Sequence, residues 1–163
     1  MAVAENLIAR HEAPPASAAW AASARDAARA RLLEMGGPVR RDEYWRYTDP
    51  ALLVDGAPKA GALDDDAAVF EGVDALRLVF VDGAFRADLS DDMVLEHIEI
   101  QPLTEALSAD IHWARGVFGA LEAAGQTPVP RPLAALNTAA AAAGFMIRIT
   151  GKPARPISFS YLH

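Results

Sequence analysis

The chain has 163 residues, with 15 Lys+Arg against 22 Asp+Glu, a net charge of −7, 52% hydrophobic residues and 23% charged ones. That length and apolar content suit a folded domain of ordinary size and exclude a disordered tail as the main description, while the acidic balance (pI ≈ 5.0) works against nonspecific binding to nucleic-acid phosphates. The chain has no cysteine, so by itself it offers no disulfide, no thiol nucleophile and no Cys-ligated zinc or iron–sulfur cluster.

The first ten residues lack the basic region and long apolar stretch of a secretory signal. No segment has the roughly 18 uninterrupted apolar residues a membrane span needs, and cytoplasmic residence is the expectation. Val3, Leu7 and Arg10 are spaced for a short amphipathic helix. A longer helix follows, with Ser17 as N-cap and Gly36-Gly37-Pro38 as its stop. Its inward stripe reads Ala21, Ala24, Ala28, Leu32 and Met35, with Arg25, Arg29 and Arg31 off it. A short helix is expected near Asp42. Another is signalled by Asp49-Pro50 and closed by Gly56. Residues 57–68 form a Gly/Pro/Asp-rich connection ending in Asp64-Asp65-Asp66.

Strand chemistry then takes over. Leu76–Val81 is an apolar, β-branched run followed by Asp82-Gly83, a dipeptide suited to a hairpin turn that needs positive φ. Ala84–Leu89 is the expected return strand. Val94–Ile100 reads as a third strand, with Val94, Ile98 and Ile100 on one face, His97 and Glu99 on the other. Ile111, Ala114, Phe118 and Leu121 form a helical stripe closed by Gly125. Residues 126–132, carrying Pro128, Pro130 and Pro132, form a stiff linker. Pro132 opens a helix lined by Leu133, Leu136, Ala140 and Ala143 and ended by Gly144. Two alternating segments, Phe145–Thr150 and Pro156–Leu162, close the sequence. The alternation still runs at His163, which reads as the N-terminal piece of a longer protein.

Chemical motifs are sparse. Gly151-Lys152 lacks the rest of a P-loop, and neither G-x-G-x-x-G nor G-x-S-x-G occurs. His97 and Glu99, flanked by Glu96, make a metal site only if His112 joins them, because two ligands are too few. That trio defines one alternative function, a small metal-dependent hydrolase. The plainer meaning is a solvated strand face and a polar helix start. Asp64–Asp66 lacks EF-hand spacing and reads as a solvated loop. Arg40-Arg41, interleaved with Asp42 and Glu43, reads as a local ion-pair network. Tyr44, Trp45 and Tyr47 read as rings packing a helical cap. Used instead as a docking surface, the Trp45 region would make the chain a free-standing interaction module.

The segment Pro38-Val-Arg-Arg-Asp-Glu-Tyr-Trp-Arg-Tyr-Thr-Asp49 carries the most specific pattern: a proline, the basic pair Arg40-Arg41, Glu43, then Trp45, Arg46, Tyr47 and Thr48. It resembles a segment near the N-terminus of the SufD family, subunits of the SUF iron–sulfur cluster assembly complex. Two further blocks follow in family order. One is Leu78–Phe85 with Leu89-Ser90. The other is Leu136-Asn137 with Ala139, Gly144 and the strands through Pro156-Ile157, although Ala143 stands where the family usually has an acidic residue. The resemblance implies an α+β chain: an N-terminal helical and mixed domain with a β-hairpin (1–143), leading into the first strands of a right-handed parallel β-helix (144–163). It implies a non-catalytic scaffold role with SufB and the ATPase SufC as partners. The ATPase would dock on a C-terminal helical region, and the cluster ligands would lie in the later β-helix. No catalytic, cofactor or metal residue is therefore expected in this segment. Arg41, Glu43, Trp45 and Tyr47 are expected to pack and pair, and exposed strand edges to favour self-association.

Overall fold

The computed structural model describes residues 2–13, 15–16, 18–55, 70 and 72–162. In chain order the elements are α1 (Ala2–Arg10), α2 (Ala19–Met35), α3 (Ala51–Val54), β1 (Leu76–Val81), β2 (Ala84–Phe85), β3 (Ile98–Pro102), α4 (Leu103–Ala106), α5 (Ala120–Ala124), α6 (Pro132–Ala140), β4 (Phe145–Ile149) and β5 (Ile157–Leu162). Single 3-10 turns lie at Glu43–Trp45, Ala87–Leu89 and Trp113–Gly116. The fold is mixed α+β. It divides into two compact units, Met1–Ala57 with Thr104–Ala142, and Pro58–Leu103 with Ala143–His163. Both sheets and the aromatic cluster described below lie in the second unit, which takes residues from both sides of position 143. No helix among the described residues is long and apolar enough to cross a membrane.

The first unit is helical, and its centre is the packing of α2 against α6. The α2 face buries Ala21, Arg25, Ala28 and Leu32, at steps of four, three and four. Arg25 thus belongs to the buried stripe, contrary to its expected place off it. Small alanines leave room for its aliphatic stem, and its Nη2 donates to the Ala141 carbonyl at 2.6 Å, just past the end of α6. Burial lowers the Arg25 pKa. Ala4, Leu32 and Ala135 form a buried cluster with Ile8, Met35 and Leu136 packed around it. The stop after α2 is the expected one: Gly36 has φ +77° and donates to the Leu32 carbonyl. Ser17 and Gly56, the expected caps, and Asp64–Asp66 lie outside the described residues. The Asp49 carboxylate accepts from the Ala51 N–H at 3.0 Å and so opens α3.

Two helical expectations are corrected. The Ile111–Leu121 stripe does not form one helix. Gly119 adopts φ +73° and breaks the segment between the 3-10 turn and α5, leaving Ile111 96% and Leu121 87% exposed. On α6 the buried side is Pro132, Ala135, Thr138 and Ala139. Small residues rather than Leu133 and Leu136 take the central contact, because alanines on α2 and α6 let the two backbones approach closely. The helix also ends at Ala140, four residues before Gly144.

The second unit holds two small sheets, β2-β1-β5 and β3-β4. The hairpin forms where expected, with positive φ at Asp82 and Gly83. Its return strand is only Ala84–Phe85 rather than Ala84–Leu89. Beyond Phe85, β1 is satisfied by other groups. Val79 N–H donates to Ser90 Oγ at 2.8 Å, Arg77 N–H donates to the Asp91 carboxylate at 2.8 Å, and Arg86 N–H donates to the Val79 carbonyl at 2.9 Å. Asp91 N–H also donates to the Arg77 carbonyl at 2.9 Å, so backbone and side-chain groups together continue the pairing beyond the short strand. The third strand is Ile98–Pro102, not Val94–Ile100, because His97 turns the chain at φ +65°. β3 pairs antiparallel with β4, while β5 runs parallel to β1 from Leu76↔Ile157 to Val81↔Leu162. The consecutive strands β4 and β5 thus enter different sheets. Phe80, Phe85, Phe145 and Tyr161 pack together, with Phe85–Phe145 edge-to-face at 4.8 Å and Phe80–Tyr161 stacked at 5.1 Å.

Candidate functional site

The Pro38–Asp49 segment builds the most distinctive surface of the first unit. Its 3-10 turn Glu43–Trp45 buries no side chain fully. Tyr44 and Trp45, with Pro130, Arg131, Pro132, Leu133 and Ala134, line a groove of about 330 Å³. The Arg131 guanidinium lies over the Tyr44 ring, 5.4 Å from its centroid, a cation–π contact that orders both side chains. The opposite wall is prepared by prolines: Pro132 opens α6 and fixes the chain that carries Arg131.

A polar relay sets the position of that arginine. Arg31 on α2 grips Glu122 on α5 with two hydrogen bonds, Nη2–Oε2 at 2.5 Å and Nε–Oε1 at 3.2 Å. Gln126 Nε2 donates to Glu122 Oε1 at 2.6 Å, and Gln126 Oε1 accepts from the Arg131 N–H at 2.6 Å. Burial alone would push the Glu122 carboxyl up. Hydrogen bonds from Arg31 and Gln126, the charge of Arg31 and a contribution from Thr138 outweigh it and hold the group below the usual carboxylate range. The groove lining contains no carboxylate, imidazole or alcohol. It offers contact area, one positive charge on Arg131 and the phenolic hydroxyl of Tyr44.

The aromatic trio does not pack as a cap. Tyr47 is 91% exposed, with Arg46 lying 5.5 Å from its ring centroid, and Tyr44 is also exposed. Only Trp45 is half-buried. The ion pairs of the segment are loose, Arg40–Asp49 and Arg46–Glu43 both at 3.9 Å. Arg41 is exposed.

Of the candidate ligands, His97 and Glu99 belong to the second unit and His112 to the first. His97 is a turn residue whose carbonyl accepts from Thr150 N–H at 2.8 Å, and its Nε2 lies 3.4 Å from Glu96. Glu99 faces Arg148 across the β3–β4 pair at 3.9 Å. His112 caps the Trp113–Gly116 turn, its Nδ1 accepting from Ala114 N–H at 3.0 Å. Among the described residues no three His, Cys, Asp or Glu side chains are placed to hold a metal ion. Sequence reasoning missed the Arg31–Glu122–Gln126–Arg131 relay. Its one local signal was an arginine set between Pro130 and Pro132. Compared with known protein families and with curated proteins, the chain matches none.

Proposed function

We propose that this chain is the N-terminal portion of a SufD-type subunit, a non-catalytic scaffold for cytoplasmic iron–sulfur cluster assembly that works with SufB and the ATPase SufC. One observation carries the reading: three motif blocks, Pro38–Asp49, Leu78–Ser90 and Leu136–Ile157, occur in the family's order. The hairpin and the parallel β1–β5 pair support it, because a right-handed parallel β-helix is built from parallel neighbours joined by long connections. The lack of cysteine agrees with cluster ligands located in other parts of the assembly. On this reading the full-length protein co-purifies with SufB and SufC, while residues 1–163 alone neither hydrolyse ATP nor retain SufC. On the same reading the gene's open frame is expected to continue past codon 163, which sequencing of the locus checks. Tight retention of SufC by residues 1–163 overturns the placement of the ATPase dock. A stop codon after His163 favours a second reading, a free-standing interaction module, for which the Tyr44–Trp45–Arg131 groove is the specific observation.

A further inference from the structure

Trp, Tyr and Arg are the residue types that carry most of the energy in protein–protein contacts. One of each, Trp45, Tyr44 and Arg131, lines the groove of the first unit together with Pro130 and Leu133. Its volume of about 330 Å³ lies at the low end of ligand sites and suits the side chains of a peptide better than a large cofactor. Polar groups in this lining are left to solvent. Among the described residues no oxygen accepts from the Arg131 guanidinium, which lies over the Tyr44 ring, whereas Arg25 and Arg31 on α2 both donate to oxygens. The Trp45 indole N–H makes no hydrogen bond among the described residues, whereas that of Trp20 donates to the Ala109 carbonyl at 2.8 Å. No acidic residue stands in the first turn of α6 and no side chain caps it, so its positive end adds to the charge of Arg131. On a chain of net charge −7, this groove is locally positive and walled by apolar and aromatic groups.

We propose that the groove docks an extended segment of a partner protein in which a carboxylate side chain stands beside an apolar one. The carboxylate takes the planar fork of Arg131, a charge-assisted and directional contact. The apolar side chain packs on Trp45, Pro130 and Leu133. The arginine is ordered before a partner arrives: its N–H donates to Gln126 Oε1 at 2.6 Å, prolines flank it, and the Tyr44 ring holds its guanidinium. Less side-chain freedom is therefore lost on binding. Repulsion between two chains of like charge disfavours a second copy as the occupant. The proposal gives partner chemistry to the groove on which the module reading rests. It holds equally for a longer scaffold chain, because it uses the first unit alone, and locus sequencing decides between those readings without touching the test below.

Selection from a phage-displayed library of random short peptides on the immobilised 163-residue chain tests it. Enriched peptides are expected to carry Asp or Glu next to Leu, Pro or an aromatic residue. A synthetic copy of the leading peptide is expected to shift the Trp45 indole N–H resonance of the wild type and to leave those of Trp20 and Trp113 in place, a readout that needs no variant. Arg131→Gln is expected to weaken binding by about tenfold or more, as is replacement of the peptide's acidic residue by its amide. An absence of enrichment overturns the proposal. So do leading peptides that lack an acidic residue, an Arg131→Gln variant that binds as the wild type does, or shifts that bypass Trp45. Free benzoate competing as strongly as the peptide assigns the groove to a small carboxylate, and self-association lost on Arg131→Gln assigns it to a second copy. Either result also overturns the proposal.

Discussion

Glu122 joins three parts of the first unit: α2 through Arg31, α5 on which it sits, and the Pro-rich segment through Gln126. Its folded-state pKa is depressed, so its contribution is fully present above the unfolded carboxyl value and is lost as pH falls through the folded value. Glu122→Gln is expected to cost about 2 kcal/mol at neutral pH, since it leaves the half-buried Arg31 without its counter-charge. The gap between wild type and variant in urea denaturation narrows as pH falls below about 4. A gap that stays constant across that range contradicts the assigned ionisation. Arg25 is the residue at which reading by type misleads. Its spacing from Ala21 and Ala28 puts it on the buried face, yet a charged side chain is assigned outward by default. What admits it is a carbonyl at the end of another helix, and nothing near Arg25 in sequence announces Ala141.

At the scale of elements, an aromatic cluster ties strands of both sheets together. Phe80 is the common member: it meets Phe85 at 5.7 Å, Phe145 at 5.8 Å and Tyr161 at 5.1 Å. Phe80→Ala is expected to destabilise the protein by about 3–5 kcal/mol, the range for truncating a buried aromatic ring. Denaturant unfolding followed by near-ultraviolet circular dichroism checks this, and a loss below about 1 kcal/mol removes Phe80 from the centre of the cluster. β1 and its turn were legible because an apolar β-branched run followed by Asp-Gly is a local signal. The return strand is shorter than its apolar pattern suggests, because the 3-10 turn Ala87–Leu89 interrupts it before Ser90 and Asp91 bond β1 again. The third strand was misplaced by the same kind of cause. Alternation of side chains continues through His97, but the backbone does not stay extended there. The Ile111–Leu121 stripe matches helical spacing in sequence, and a single left-handed glycine divides it.

For the molecule as a whole, charge is the property that acts at long range. With a net charge of −7 at neutral pH and a pI near 5.0, solubility is expected to pass through a minimum near pH 5, where mutual repulsion vanishes. Turbidity across pH 4–8 checks this, and a maximum of solubility near pH 5 would refute it. The candidate site was legible only in part. The Pro38–Asp49 motif suggests packing rings, while the groove lined by Tyr44 and Trp45 needs Arg131 from far along the chain. The sequence by itself determined the mixed α+β class, the span of β1, the hairpin turn and the stop at Gly36, all of which rest on the conformational preferences of neighbouring residues. Only the tertiary structure decided that β4 joins β3 while β5 joins β1, and that Arg25 is buried. It also brought Arg131 over Tyr44 and set Glu99 against Arg148. Those outcomes depend on which distant surfaces meet, and local spacing carries no record of distance through the fold.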